Sequence, residues 1–253
     1  MIRGLIFDIN GTLIDIFTNE ESDDIFRVLS NFFIYQDIFL SAQEIHDLYF
    51  AINRRQRHDS AEEFPEFDIT ALFDEIIAKY SRTHTKKITK KKRTVLARTA
   101  AEIFRAVSLF QLQLYPEVKK VLKKLKKKYR MAAVSDGQSV WAQAELNAVN
   151  LSDFFDPLIV SGDFGYRKPD KRLFKKALKK MGLAADEVIF IGNDLYRDVY
   201  GANLIGMKSV FFKSNQGDHD FEKARPDETI YAFEELEGAV RRLARRTKKK
   251  RKK

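Results

Sequence analysis

Polar residues that could carry out chemistry follow short apolar runs at four places in this sequence. The first group is Asp8, at the end of GLIFD, with Asn10 and Thr12 after it. The other groups are Ser135 with Asp136, Lys168 in GYRKPD, and Asn193, Asp194 and Asp198 in GNDLYRDVYGA. A carboxylate nucleophile, a hydroxyl, a cation and an acidic cluster are the parts that covalent transfer of a phosphoryl group with a divalent metal requires. Each group has an ordinary explanation as a turn residue, a helix cap or a surface charge, but their joint recurrence favours one site.

The apolar runs that precede these groups have the composition of buried strands. They are GLIFD (4–8), RMAAVSD (130–136), PLIVSGD (157–163), EVIFIGND (187–194) and KSVFF (208–212). Amphipathic segments such as EVKKVLKKLKKK and KRLFKKALKKMG lie between them, with apolar residues on one helical face. This alternation predicts an α/β fold with a Rossmann-like parallel sheet core and helices on both faces. Ligands bind at the carboxyl edge of such a sheet, where the four polar groups are predicted to meet.

Residues 16–113 do not follow this alternation, because they contain helical stretches and no convincing strand. The stretches are ESDDIFRVLSNFF, SAQEIHDLYFAI, ITALFDEIIAKY and TVLARTAAEIFRAV. The polar run SRTHTKKITKKKRT is predicted to be a loop followed by a helix start. We therefore predict a core formed by residues 1–15 and 114–240, and a helical cap domain formed by residues 16–113 that folds over the sheet edge.

Composition limits the classes of function that are open to this chain. With 253 residues and 44% hydrophobic content, the chain can bury a sizeable core. It has no cysteine, which excludes disulfides, thiolate nucleophiles and cysteine-ligated zinc. No apolar run reaches the roughly 18 to 20 residues that a membrane span needs, and the start lacks the features of a signal peptide. These features predict a soluble, cytoplasmic protein.

The net charge of +10 comes from one end of the chain. Residues 241–253 contain ten Lys or Arg and no acid, so the rest has 36 basic residues against 36 acidic ones. This basic tail is predicted to be disordered. The tail could tether RNA, DNA or anionic lipid, or it could simply stay solvated. No nucleic-acid recognition motif accompanies it, so contact with nucleic acid is possible only through the tail.

In order and spacing, the four polar groups resemble the motifs of the haloacid dehalogenase superfamily of hydrolases. FDINGTLID resembles the first motif, VSDG the second, the lysine of RKPD the third and IGNDLYRDVYGA the fourth, while the helical insertion resembles the family's cap domain. The resemblance implies Asp8 as the nucleophile, Ser135 as a hydrogen bonder to the transferring group and Lys168 as the charge that restrains Asp8. It also implies a Mg²⁺ site whose acidic side comes from Asp194 and Asp198.

The residues expected at the site form three sets. The catalytic set is Asp8, Asn10, Ser135 and Lys168, the substrate-binding set is Thr12, Asp136, Gly137 and Arg55, and the metal-binding set is Asp8, Asn10, Asn193, Asp194 and Asp198.

Two asparagines depart from the family's phosphatase pattern. Asn10 stands where the family has the aspartate that acts as general acid and base, so hydrolysis of alkyl phosphates is expected to be slower by about 10²- to 10⁴-fold. Asn193 stands where the fourth motif has another aspartate. The Asn10 backbone carbonyl and the Asn193 amide oxygen still suit Mg²⁺, at reduced affinity.

Three hypotheses of function follow, and the first is favoured. The first is a Mg²⁺-dependent phosphatase acting through an aspartyl phosphate on a small metabolite with a good leaving group, with water activated by Asp136, Asp15 or a cap residue. The second is a 2-haloacid dehalogenase, which needs no acid at position 10 and could use Arg54, Arg55 or Arg57 of NRRQRHD as a clamp for a carboxylate or halide. The third is a catalytically weakened protein that binds a ligand or a partner.

Overall fold

The first strand of the chain lies in the interior of the central sheet. The computed structural model describes residues 1–81 and 88–250. Its strands are β1 (Gly4–Phe7), β2 (Ile14–Thr18), β3 (Leu109–Leu114), β4 (Arg130–Ser135), β5 (Leu158–Val160), β6 (Val188–Gly192), β7 (Lys208–Phe212) and β8 (Glu228–Ile230). Six of them form a parallel sheet in the order β5–β4–β1–β6–β7–β8. Because β1 lies between β4 and β6, the residues that follow these three strands meet at one edge, as the sequence predicted.

Helices cover both faces of this sheet. They are α1 (Asp23–Tyr35), α2 (Ala42–His58), α3 (Ile69–Tyr80), α4 (Lys90–Ser108), α5 (Val118–Lys126), α6 (Ser139–Ala148), α7 (Lys171–Met181), a π-helical turn (Leu195–Tyr200) that continues into the short α8 (Gly201–Asn203), and α9 (Leu236–Lys250). Along β1, Leu5 and Phe7 pack in the cluster that contains α5 and α9, whereas Ile6 packs in the cluster that contains α7. This alternation with period two, together with the amphipathic helices, confirms the predicted α/β fold.

The first four helices form a hydrophobic cluster of their own. Tyr49 of α2 stacks on Phe104 of α4 at 4.5 Å between ring centroids, and Phe73 of α3 lies beside them. Trp141 of α6 joins this cluster from the core and donates its indole N–H to the Ala101 carbonyl at 2.8 Å. The cap helices are therefore anchored on α6, directly beside the sheet edge.

The prediction that residues 16–113 contain no strand was wrong at both ends of this segment. Strands β2 and β3 pair antiparallel, with Ile14 opposite Leu114, and they join the core to the cap helices. Phe17 and Phe110 lie exposed on this ribbon, so its apolar residues do not alternate as in a buried strand. In the polar run 81–94, the loop predicted at residues 82–87 lies outside the described residues, and α4 begins at Lys90 after its N-cap Thr89.

The prediction of a disordered tail from residue 241 was also wrong as far as Lys250. Helix α9 continues to that residue, and Val240 and Leu243 are fully buried in the cluster formed with α5. Arg242 pairs with Glu228 at the end of the sheet. Residues 241–247 therefore belong to an amphipathic helix, on which Arg241, Arg242, Arg245 and Arg246 are exposed. Within residues 1–81 and 88–250, no helix is long and apolar enough to cross a membrane.

Candidate active site

A buried carboxylate and a buried ammonium group form the centre of the site. Asp8 follows β1, and its Oδ1 accepts a hydrogen bond from Lys168 Nζ at 2.6 Å. Lys168 Nζ also donates to Asp198 Oδ1 at 2.6 Å. Asp8 is 5% exposed, Lys168 3% and Asp198 1%, so solvent screens these charges weakly. The structure thus brings together the residues predicted from the first, third and fourth motifs.

Burial and charge act in opposite directions on these groups. Burial alone would lower the pKa of Lys168, but the carboxylates of Asp198 and Asp8 reverse that shift, so its pKa is raised and it stays charged. Burial raises the pKa of Asp198, and the Lys168 ammonium opposes that shift. The lysine is therefore a permanent positive charge beside the nucleophile.

Thr12 connects the nucleophile to the fourth motif. Its hydroxyl oxygen lies 2.9 Å from Asp8 Oδ2 and 2.8 Å from Asn193 Oδ1, and its single proton can be donated to one of them at a time. The turn before it has Gly11 at φ +83°, where a side chain would also collide with the Asn193 amide. The Thr12 hydroxyl is thus already hydrogen-bonded within the protein. A contact between Thr12 and the substrate stays a prediction.

The fourth motif holds Asp198 through its own backbone. The π-helical turn lets Asp198 Oδ2 accept the backbone N–H groups of Asn193 and Asp194, each at 3.1 Å. A Cβ at Gly192 would lie 2.3 Å from this carboxylate, so a side chain there would displace it. Glycine at position 192 is therefore required for Asp198 to hold Lys168.

The Asp194 carboxylate is bound by Arg197, a residue that was not predicted from the sequence. Its Oδ2 accepts from Arg197 Nε at 2.8 Å and from the Asp218 backbone N–H at 3.0 Å, and its Oδ1 accepts from the Arg197 backbone N–H at 2.7 Å. Although burial acts in the opposite direction, Arg197 and these backbone groups lower the pKa of Asp194. The expected metal role of Asp194 therefore finds no support in this geometry.

The second motif contributes a carboxylate oxygen, Asp136 Oδ2, that lies 3.9 Å from Arg197 Nη1. The Asp136 carboxylate accepts the Lys168 backbone N–H at 2.9 Å through Oδ1, while its buried Oδ2 has no hydrogen-bond partner among the described residues. Burial raises the pKa of Asp136. Ser135 makes a long hydrogen bond of 3.3 Å to the Asp136 carbonyl, and the Gly137 N–H donates to Ser161 Oγ at 2.8 Å. The serine hydroxyl is therefore weakly held, whereas the Gly137 N–H is already used within the protein.

The oxygen atoms at the sheet edge form a possible Mg²⁺ site whose ligands carry few negative charges. Asp8 supplies one carboxylate, Asn193 an amide oxygen and Asn10 a backbone carbonyl, while Asp194 and Asp198 are engaged by cations and backbone N–H groups. Within residues 1–81 and 88–250, no cluster of three or more acidic, histidine or cysteine side chains could hold a metal. Since Mg²⁺ is commonly bound by one or two carboxylates together with substrate phosphate, these residues fit it only with the phosphate's help.

Replacing Asn193 by aspartate is expected to lower the Mg²⁺ concentration needed for half-maximal thermal stabilisation by about tenfold, because a second carboxylate joins the donor set. The control is Asn203→Asp, on α8, whose side chain accepts the Arg225 backbone N–H. A Mg²⁺ titration of both variants in the presence of inorganic phosphate, read by the shift in melting temperature, tests this. An unchanged requirement in Asn193→Asp would show that this side chain does not face the metal.

Two other predicted residues lie away from Asp8. Arg55 is half exposed on α2 and pairs with Glu75 of α3, so the structure does not bring it to the site. Asp15 on β2 accepts a hydrogen bond from Gln216 Nε2 at 2.8 Å and faces the loop after β7. That loop does reach the site, because the Gln216 carbonyl accepts the Asn193 amide N–H at 2.9 Å.

Sequence reasoning missed residues that reach the site from helices. Arg197 lies between two acids in GNDLYRD, and that spacing on one turn was the available signal. Glu145 of α6 accepts a hydrogen bond from Asn10 Nδ2 at 3.1 Å and from Arg105 Nε of α4 at 2.6 Å. No local pattern marks Glu145 or Arg105, because only the packing of the cap on α6 brings them to Asn10.

Comparison with known proteins agrees with this geometry. A family model described as "Hydrolase: haloacid dehalogenase-like hydrolase" matches residues 2–206, so the chain belongs to the haloacid dehalogenase-like hydrolases. The fold resembles the crystal structure of a 2-haloacid dehalogenase from Pseudomonas syringae pv. Tomato DC3000, with TM-score 0.66, 20% identity and coverage of 96% of this chain and 99% of that one. It also resembles a HAD phosphatase from Thermococcus onnurineus, with TM-score 0.57, 21% identity and coverage of 94% and 98%. At these identities, the likeness concerns the fold alone.

Among curated relatives, phosphatases match over part of their length. The chain is 39% identical over 99 residues to a glyceraldehyde 3-phosphate phosphatase of Pyrococcus abyssi, which is 39% of this chain and 42% of that protein. It is 32% identical over 115 residues to a phosphoserine phosphatase of Thermus thermophilus, which is 45% and 46%. It thus spans less than half the length of these two relatives.

Proposed function

We propose that this protein is a Mg²⁺-dependent phosphatase that hydrolyses small phosphorylated metabolites with good leaving groups through an aspartyl phosphate. One observation carries the proposal: the buried Asp8 carboxylate lies at the carboxyl edge of the sheet with Lys168 on one oxygen and Thr12 near the other. A buried lysine fixed between Asp8 and Asp198 supplies the positive charge that a transferring phosphoryl group needs. The phosphatase names of relatives support the same class of reaction.

Two displacements at phosphorus make up the proposed reaction. Asp8 forms a bond to phosphorus while the bond from phosphorus to the leaving group breaks, and the leaving group departs with the electron pair. Water then adds its hydroxyl to phosphorus, the bond to Asp8 breaks, and the remaining proton of the water leaves the site. Lys168 holds Asp8 in place and offsets the anionic charge in both steps. When bound, Mg²⁺ would supply further positive charge against the phosphate oxygens.

Asn10 determines which leaving groups suit this site. An amide cannot donate a proton to a departing alkoxide, whereas an acyl phosphate releases a carboxylate that needs none. Acyl phosphates and phosphoanhydrides are therefore the proposed substrate class. For the second step, Asp136 is the proposed base, because its buried Oδ2 has no hydrogen-bond partner among the described residues, with Arg197 Nη1 3.9 Å away, and because burial raises its pKa.

A second candidate function is dehalogenation of a 2-haloacid, which one arginine of the cap favours. Arg57 of α2 has a buried Nε with no hydrogen-bond partner among the described residues, and its guanidinium lies 3.5 Å from Glu66. Such a group can hold the carboxylate of a haloacid while Asp8 attacks carbon and a halide leaves. The cap formed by the segment 16–113 would then select the substrate in either reaction.

The experiment that tests the proposal is a comparison of substrates with the full chain. Phosphate release is measured from acetyl phosphate, p-nitrophenyl phosphate and glycerol phosphate, with Mg²⁺ or with EDTA, beside chloride release from 2-chloropropionate. The proposal predicts Mg²⁺-dependent release that falls in that order, with acetyl phosphate about 10² times faster than glycerol phosphate or more. Chloride release without phosphate release would establish the second candidate, and release of neither would leave a binding role.

A further inference from the structure

The Asn10 side chain is held from one side only. Its Nδ2 donates a hydrogen bond to Glu145 Oε2 at 3.1 Å. Its Oδ1 is buried and has no hydrogen-bond partner among the described residues. Buried carbonyl oxygens are normally paired, so an unpaired one is unusual. The Asn10 Oδ1 is therefore available to accept a hydrogen bond from a molecule bound next to Asp8, two residues away.

Glu145 is itself held by the cap. It is 4% exposed on α6, and its second oxygen accepts Arg105 Nε of α4 at 2.6 Å. The Arg105 guanidinium lies over the Trp141 ring at 4.7 Å, and its Nη1 lies 3.3 Å from Glu20 Oε1. A buried carboxylate paired with an arginine is a fixed acceptor, so it sets which end of the Asn10 amide faces it.

We infer that Glu145 is a positioning residue for Asn10, and that Arg105 makes this positioning depend on the cap. Glu145 accepts only, so it binds the Asn10 amide nitrogen and leaves the amide oxygen for the bound ligand. In the proposed phosphatase, on which this inference rests, that oxygen accepts a hydrogen bond from the attacking water and takes no proton from it. The cap has to be seated on α6 for Arg105 to hold Glu145, so substrate enclosure and orientation of Asn10 occur together.

A structural ion pair would give different effects from a positioning residue. If the contact between Glu145 and Arg105 only fastened the cap, its loss would lower the melting temperature and would leave turnover at a folded temperature unchanged. If it orients Asn10, its loss lowers kcat at nearly constant KM, because the bound substrate is unaffected and the attacking water is misplaced.

Glu145→Gln is the variant that separates these cases. Its new amide N–H can donate to Asn10 Oδ1, which turns the Asn10 amide over without changing the size of the side chain. We expect kcat for acetyl phosphate to fall about tenfold with KM within twofold. The side-chain NH₂ signal of Asn10, identified in ¹⁵N NMR spectra by its absence in Asn10→Ala, is expected to shift.

Glu102→Gln is the matched control, because Glu102 lies on α4 near Arg105 but forms an exposed pair with Arg98. It should leave kcat and the Asn10 signal unchanged. If the wild type releases phosphate and kcat is unchanged in Glu145→Gln, the inference is overturned and the proposed function stands. If the wild type releases no phosphate, the proposed function fails, and the NMR signal then decides: a shift confined to Glu145→Gln supports the orienting contact, and an unmoved signal overturns it.

Discussion

Phosphate release is expected to fall by at least about 10⁴-fold when Asp8 is replaced by asparagine, the scale of loss when an enzyme's nucleophile is removed. The amide is nearly isosteric with the carboxylate but cannot form the aspartyl phosphate. Lys168 keeps its contact with Asp198 Oδ1 at 2.6 Å, so the variant has a partner for the buried ammonium group and should still fold. Phosphate release from acetyl phosphate with saturating Mg²⁺ measures the effect, and the melting temperature confirms folding.

Asp227→Asn is the matched control for this prediction. Asp227 also accepts a hydrogen bond from a lysine, Lys208 at 3.1 Å, but it lies at the opposite edge of the sheet, where β7 begins. Its replacement should leave turnover unchanged. Turnover that survived in Asp8→Asn would contradict a covalent aspartyl phosphate and would move the chemistry to another group.

The sheet and its functional edge could be predicted because local sequence determines them. Each strand of the centre is an apolar run whose alternate residues enter different clusters. Once these strands are parallel, the groups after β1, β4 and β6 must meet. The proximity of Asp8 and Asp198 follows from that topology. Lys168 comes from the segment after β5, two strands from β1, and reaches both carboxylates with its side chain.

The ribbon and the tail could not be predicted in the same way. Strand β2 and strand β3 are joined only through the cap helices, and their pairing depends on residues almost one hundred positions apart, such as Asp15 opposite Gln113. The lysines and arginines after residue 241 concealed the apolar face that Val240 and Leu243 form in α9. A charge count describes the exposed face of a helix, whereas burial of the other face decides whether the helix forms.

Within the site, the sequence identified residue types better than their partners. The family resemblance implied a metal role for Asp194, which stays a prediction, and in the structure its carboxylate accepts a hydrogen bond from Arg197, three residues later on the same turn. Arg55 was one of three arginines of NRRQRHD expected near the substrate, and in the structure it pairs with Glu75, whereas the Nε of Arg57 is buried. Helical phase decides which of these arginines is buried.

The partners of Asn10 carry the main consequence for function. Its nitrogen is bound to Glu145 and its oxygen has no hydrogen-bond partner in the part of the chain that the structure describes, so this residue can orient a ligand but cannot supply a proton. A site with a charged nucleophile, a buried cation and an amide at position 10 is suited to substrates whose leaving groups are stable anions. Under the proposed function, an acid restored at position 10 would extend hydrolysis to alkyl phosphates.

Replacing Asn10 by aspartate is therefore expected to raise kcat for glycerol phosphate by about 10²- to 10⁴-fold. The new carboxyl would lie near Glu145, at the 3.1 Å distance now spanned by the amide hydrogen bond. Two carboxylates this close disfavour double ionisation, so the pair keeps a proton that the new carboxyl can donate to the departing alkoxide. Hydrolysis of acetyl phosphate should change little, because its leaving group departs unprotonated.

The ratio of kcat for glycerol phosphate to kcat for acetyl phosphate is the quantity that isolates this effect. Asn10→Ala is the control, since it removes the amide and adds no acid, and its ratio should stay at the wild-type value or below. A ratio that rises only in Asn10→Asp would mean that the missing proton donor limits the wild-type enzyme. An equal rise for both substrates would instead indicate a changed nucleophile or metal site. No rise would show that another step limits turnover, and Asp136 or residues of the cap would be the next to replace.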